Sequence, residues 1–122
     1  MNTSAIKKIL FIFRQSPYSG NLAREALDVA FAAGIFNQQV SVLFMDDGVW
    51  QLLPDQQSSL IGVKQQYAML TALPLYDIEH VYVDAVSLAV RLPTHAITLP
   101  YVPADADQVK TLMQTHDIIL GF

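Results

Sequence analysis

Apolar residues in this chain fall into short unbroken runs separated by stretches with helical spacing. Ile6 to Phe13 (IKKILFIF) is a run rich in Ile and Phe, bounded by Arg14 to Gly20 (RQSPYSG), a loop composition. Such a run reads as a buried strand. Next, Leu22, Ala26, Val29, Ala30 and Ala33 recur at helical spacing, with Gly34 near the expected helix end, where a left-handed cap is often needed. Gln39 to Met45 (QVSVLFM) predicts a second strand, broken by Asp46-Asp47-Gly48. Val49 to Leu53 (VWQLL) predicts a short apolar turn stopped by Pro54, and 55–59 reads as a polar loop.

Leu60, Val63, Tyr67 and Leu70 share one face of a second helix, with Ser58 or Ser59 as its cap and Pro74 as its bound. His80 to Val83 (HVYV) predicts a third strand, Ala85 to Leu92 is compatible with one helical turn, and Ala96 to Leu99 predicts a short fourth strand. Pro103 is placed to open a last helix, where its missing N–H costs nothing. Ala106, Val109, Leu112 and Met113 form that helix's buried stripe, and Asp105 and Asp107 suit its positive end. Asp117 to Phe122 (DIILGF) predicts the fifth strand. Strands that alternate with helices imply a three-layer α/β/α domain with a mainly parallel sheet of about five strands. No repeat or linker interrupts residues 1–122, so one domain is expected.

Composition sharpens this picture at two points. Charged residues make up 15% of the chain, against roughly 25% in a typical soluble domain, and mean hydropathy is +0.33. Two readings stand side by side: a surface covered by another subunit, or a very apolar parallel sheet. The net charge of −4 and the absence of a basic stretch argue against direct capture of nucleic acid. There is no cysteine, which excludes a disulfide, a thiolate metal site and a cysteine nucleophile. No apolar run reaches membrane-spanning length or makes a signal-peptide core, so a cytoplasmic protein is expected.

Candidate chemistry is sparse. In open α/β sheets, sites lie beyond the carboxyl ends of the strands. The Arg14–Gly20 loop has one glycine and matches neither a dinucleotide fingerprint nor a P-loop. An anion-binding loop with help from Arg14 and Arg24 stands against an ordinary connection capped by Ser19 or Asn21. Asp46 and Asp47 form a carboxylate pair suited to acid–base work or Mg²⁺, but Asp-Gly is also a plain turn signal. His80, His95 and His116 show no metal-ligand spacing, and Ser16, Ser19 and Ser87 lack a nucleophile-elbow context. Trp50, the only tryptophan, either anchors a protein interface or covers the sheet edge.

Several segments together resemble the DsrE/DsrF-like family and, within it, the TusC/DsrF branch. They are Pro17-Tyr18 leading to AREALD (23–28), DGVWQLLP (47–54), LYDIE (75–79) before the third strand, and the ending Asp117-Ile118-Ile119-Leu120 with Phe122. The match spans nearly the whole chain in order. One departure is Pro17-Tyr18-Ser19-Gly20, where the family pattern has glycine before the small hydroxyl residue. The resemblance implies an α/β layered fold and a place in a heterohexamer with TusB-like and TusD-like subunits. Those complexes exchange sulfur with TusA-like and TusE-like carriers, towards 2-thiolation of wobble uridine in tRNA. A related relay serves sulfur oxidation. The resemblance places the sulfur-carrying cysteine on the TusD/DsrE-like subunit, in the loop after the third strand. Here that loop begins Asp84-Ala85 and has no cysteine. The chain is therefore expected to be non-catalytic, with no cofactor and no metal, and Val49, Trp50, Leu53, Tyr76 and Asp77 are its expected interface residues. The alternative expectation is an independent small-ligand or nucleotide-binding module.

Overall fold

In the computed structural model, residues 6–17, 21–53, 61–91, 97 and 99–122 are described, with 61–65 described at the backbone only. The strands are β1 (Lys8–Phe13), β2 (Gln39–Phe44), β3 (His80–Asp84), β4 (Val102–Ala104) and β5 (Ile118–Gly121). The helices are α1 (Leu22–Ile35), α2 (Ile61–Leu70), α3 (Ala85–Arg91) and α4 (Ala106–Thr115). Two 3-10 turns, Asp46–Leu52 and Leu73–Tyr76, follow β2 and α2. The sheet is parallel throughout, in the order β4-β3-β2-β1-β5.

Alternation along β1, β2 and β3 sorts the apolar side chains onto two buried faces. Ile9, Phe11, Phe13, Val40, Val42, Phe44, Val81 and Val83 meet Ala26, Leu27, Ala30 and Phe31 of α1 and Leu70 of α2. Leu10, Ile12 and Leu43 face the other way, against Val109 of α4 with Leu112 and Met113 beside it. This is the expected three-layer arrangement, with the larger core on the α1/α2 side. Phe122 stacks on Phe11 at 6.0 Å, and its N–H donates to the Ile12 carbonyl (2.9 Å), which extends the β5 edge past β5 itself.

Four local expectations are corrected. The fourth strand is Val102–Ala104 and not Ala96–Leu99, of which Ala96 and Thr98 lie outside the described residues. Ile97 and Leu99 pack half-buried against the main core without joining the sheet. Pro103 therefore sits within an edge strand, where a missing N–H can face away from the ladder. It does not open α4. That helix starts after Asp105, whose side chain accepts the Gln108 N–H (2.8 Å), while the Gln108 side chain accepts the Asp105 N–H (2.8 Å). This reciprocal capping box fixes the start later than the proline.

On α1 the buried stripe is Ala23, Ala26, Leu27, Ala30 and Phe31, so that Leu22 and Val29 are left exposed. The rotation puts Leu27 and Phe31 into the core. Gly34 is helical and does not form the left-handed cap; Asn37 carries the positive φ of 63°. Gly34 serves close approach instead, since a Cβ there would lie 2.6 Å from the Tyr76 carbonyl oxygen. The expected caps Ser58 and Ser59, and Leu60 of the α2 stripe, lie outside the described residues.

Candidate functional site

β2 runs into the Asp46–Leu52 turn, and the turn folds back over the end of β1. The Met45 N–H donates to the Phe13 carbonyl (3.0 Å) and the Gly48 N–H to the Met45 carbonyl (2.8 Å). Only glycine fits at 48, because a Cβ there would stand 1.9 Å from the Phe13 carbonyl oxygen. Val49 and Leu52 are fully buried beneath the turn, and Trp50 and Leu53 are half-buried against the same core. Val49 thus anchors the turn and presents no side-chain surface. Gln51, 1% exposed, donates to the Gln15 carbonyl (2.8 Å) and accepts from Gln66 Nε2 (2.8 Å). Gln66 Nε2 is also shared with the Ala23 carbonyl (3.3 Å). The two amides tie the loop after β1, the turn, α1 and α2 into one polar cluster.

α3 follows β3 with no intervening residue, so Asp84 and Ala85 form a strand-to-helix junction and not an open loop. The Asp84 carboxylate accepts the Ser87 N–H (3.0 Å) and the Ser87 hydroxyl (2.5 Å), the pattern of a helix cap. Ser87 Oγ in turn accepts the Asp46 N–H (2.9 Å). The Ser87 proton is therefore committed to a carboxylate, and its oxygen to an amide. Ser87 is 4% exposed and has no histidine among its hydrogen-bond partners, so it lacks the serine–histidine pairing of a hydrolase triad.

Of the Asp46 and Asp47 carboxylates, that of Asp47 is held in an ion pair. Asp47 pairs with Arg91 of α3 (3.0 Å), while Asp46 takes a left-handed φ of 50° at the start of the turn. No group of three metal-ligating side chains occurs among the described residues. The carboxyl end of the sheet is thus a fastened surface, with the Asp46–Leu52 turn docked on α3.

Tyr76 and Asp77 lie elsewhere. They precede β3, and in a parallel sheet that puts them at the amino ends of the strands, opposite Trp50 and Leu53. Tyr76 stacks on Phe31 at 4.4 Å, half-buried, and Asp77 is exposed with φ 62°. The expected interface residues therefore split between the two ends of the sheet.

Exposed apolar side chains that the sequence reading did not single out flank both ends. Val86 and Val90 are one helical turn apart on α3, beside the Trp50 turn, and are 64% and 71% exposed. Ile35, Phe36 and Leu75 flank the close approach of Gly34 to Tyr76, and Leu75 is 84% exposed. The available signal was their position: Val86 and Val90 at i, i+4 in a short helix, and Leu75 beside the tyrosine of LYDIE.

Among the described residues no helix is long and apolar enough to cross a membrane. The model of the DsrE/DsrF-like family matches residues 7–122. A protein of Pseudomonas aeruginosa named Protein TusC homolog is 40% identical over 115 residues, covering 93% of this chain and 97% of its own length. Protein TusC of Escherichia fergusonii is 34% identical over 119 residues, covering 96% of this chain and all of its own. The crystal structure of the ychN protein from E. coli superimposes with a TM-score of 0.76 at 18% identity, over 96% of this chain and 100% of that one, and so shares the fold. With a family match over all but the first six residues and relatives related from end to end, the chain belongs to the DsrE/DsrF-like family.

Proposed function

We propose that this chain is a non-catalytic subunit of a cytoplasmic sulfur-relay complex that serves 2-thiolation of wobble uridine in tRNA. Its partners in this reading are TusB-like and TusD-like subunits in a heterohexamer, with TusA-like and TusE-like carriers acting upstream and downstream. The observation that carries the reading is relatedness over nearly the full chain to proteins named TusC, in a sequence with no cysteine. Persulfide transfer needs a thiolate, so the sulfur passes through another subunit.

The β3–α3 junction supports this reading. Asp84 is used there to cap α3 and to hold the neighbouring turn through Ser87. That use fits a subunit that presents a fixed surface to the cysteine-bearing partner. Trp50 and Leu53, with Val86 and Val90 of α3, form the contact region at this end, and burying such surface is favourable. Tyr76, Asp77 and Leu75 form a second contact region at the amino end, which suits a subunit that touches two neighbours. The test is co-expression with the host's TusB-like and TusD-like proteins, followed by native mass spectrometry. A hexameric mass that contains this chain is expected. A stable monomer in the presence of both partners would overturn the reading.

A further inference from the structure

A pocket of about 410 Å³ opens at the amino ends of the strands, away from the carboxyl end where sites in parallel sheets usually lie. We infer that it binds a small organic molecule through an oxyanion group, such as a carboxylate or phosphate. Its walls bring together Lys8, Ser41, Asp77, His80, Tyr82 and His116. Lys8 and His80 are the first residues of β1 and β3, and Ser41 pairs in register with His80. The parallel register therefore stacks their side chains at one end of the sheet.

The chain has only seven Lys and Arg residues and three His, yet one lysine and two histidines converge on this opening. Among the described residues the Lys8 ammonium, the His80 ring and the Tyr82 hydroxyl make no hydrogen bond or ion pair. They are donors without acceptors.

The back wall is built and held. The His116 Nδ1 lies 2.7 Å from the Leu112 carbonyl, which can only accept, so that nitrogen carries a proton. Nε2 then meets the Ser41 hydroxyl at 3.1 Å, and Ser41 is 7% exposed. Asp77 is the one carboxylate on the wall and suits a ligand that also carries an amino group or neutral donors. The volume lies in the range of small-molecule sites and exceeds what a bare ion needs. The pocket shares Asp77 with the amino-end contact region, while Lys8, His80 and Tyr82, which supply the donors, lie outside that region.

The test follows the assigned histidine ring resonances of the full chain, alone or within the complex it forms. Sodium phosphate and sodium acetate are titrated against sodium chloride at matched ionic strength. The His80 and His116 signals are expected to shift saturably with phosphate or acetate and not with chloride. Lys8→Met and His80→Gln are each expected to weaken binding about tenfold, the value of one charge-assisted hydrogen bond. Tyr82→Phe keeps the ring and serves if Lys8→Met does not fold, with a loss of about threefold or more. Shifts that stay linear in salt, match those of chloride, or survive these substitutions unchanged would overturn the assignment.

Discussion

Replacing Ser87 with alanine tests whether the carboxyl end of the sheet is as tightly fastened as its geometry indicates. The hydroxyl is 4% exposed and makes two bonds, donating to Asp84 and accepting from the Asp46 amide. Its removal leaves the amide without an acceptor, a loss of about 1–3 kcal/mol for a buried group. Asp84 keeps the Ser87 backbone N–H and so loses one of two bonds, roughly 1.5 kcal/mol for a charged acceptor. Water entering at exposed Asp46 recovers part of the first loss, so the net expectation is about 2–3 kcal/mol. Urea unfolding should show a lower midpoint at unchanged slope, because the core is untouched. Asp84→Asn combined with Ser87→Ala should lose less than the sum of the single changes, since both act on one bond. A loss below about 0.5 kcal/mol for Ser87→Ala, the level of an ordinary surface change, would refute the claim that this bond holds the turn to α3.

Gly48→Ala should cost more than about 4 kcal/mol, read as loss of a cooperative unfolding transition, because the new Cβ meets the Phe13 carbonyl at 1.9 Å. Near-normal stability would mean that the end of β1 moves aside freely. Asp105→Ala should cost about 1 kcal/mol by chemical denaturation through loss of the reciprocal cap on α4, and Asp105→Asn much less. Val86→Asp and Leu75→Asp, both at well-exposed positions, should leave the chain's own unfolding nearly unchanged yet weaken assembly with TusB-like and TusD-like subunits in native mass spectrometry. Trp50→Ala should weaken assembly and also lower stability, since that ring packs partly on the core.

Four of the five strands were legible because each is a run of apolar, mostly β-branched or aromatic residues, buried along β1, β2 and most of β3 and largely exposed only in the edge strand β5. β4 was not, because it is three residues long and contains Pro103, so Ile97 and Leu99 offered the stronger local signal. The true start of α4 was legible in Asp105-x-x-Gln108, a pattern that outranks a nearby proline. The division of the interface candidates between opposite ends also follows from order alone. In a parallel sheet, Trp50 and Leu53 follow a strand while Tyr76 and Asp77 precede one. The polar fastening could not be read from sequence. Ser87 meets an amide 41 positions away, and Gln51 meets a carbonyl 36 positions away and Gln66 15 away. No periodicity encodes such pairs.

The strand order has a consequence for how the molecule assembles during synthesis. β1, β2, β3 and β4 lie side by side in the sequence in which they are made, so each can add to the last as it emerges. β5 instead returns to the far side of β1, pairing Ile9 with Ile118 across almost the whole chain. Until then β1 offers a bare edge of Ile9 to Ile12, an apolar ladder of unpaired N–H and C=O groups. It is the longest-range pairing in the sheet, and the entropy of closing its loop is spent before its contacts form. The nascent sheet is therefore most vulnerable to mispairing just before its final strand arrives, and it is β5 with Phe122 that seals it.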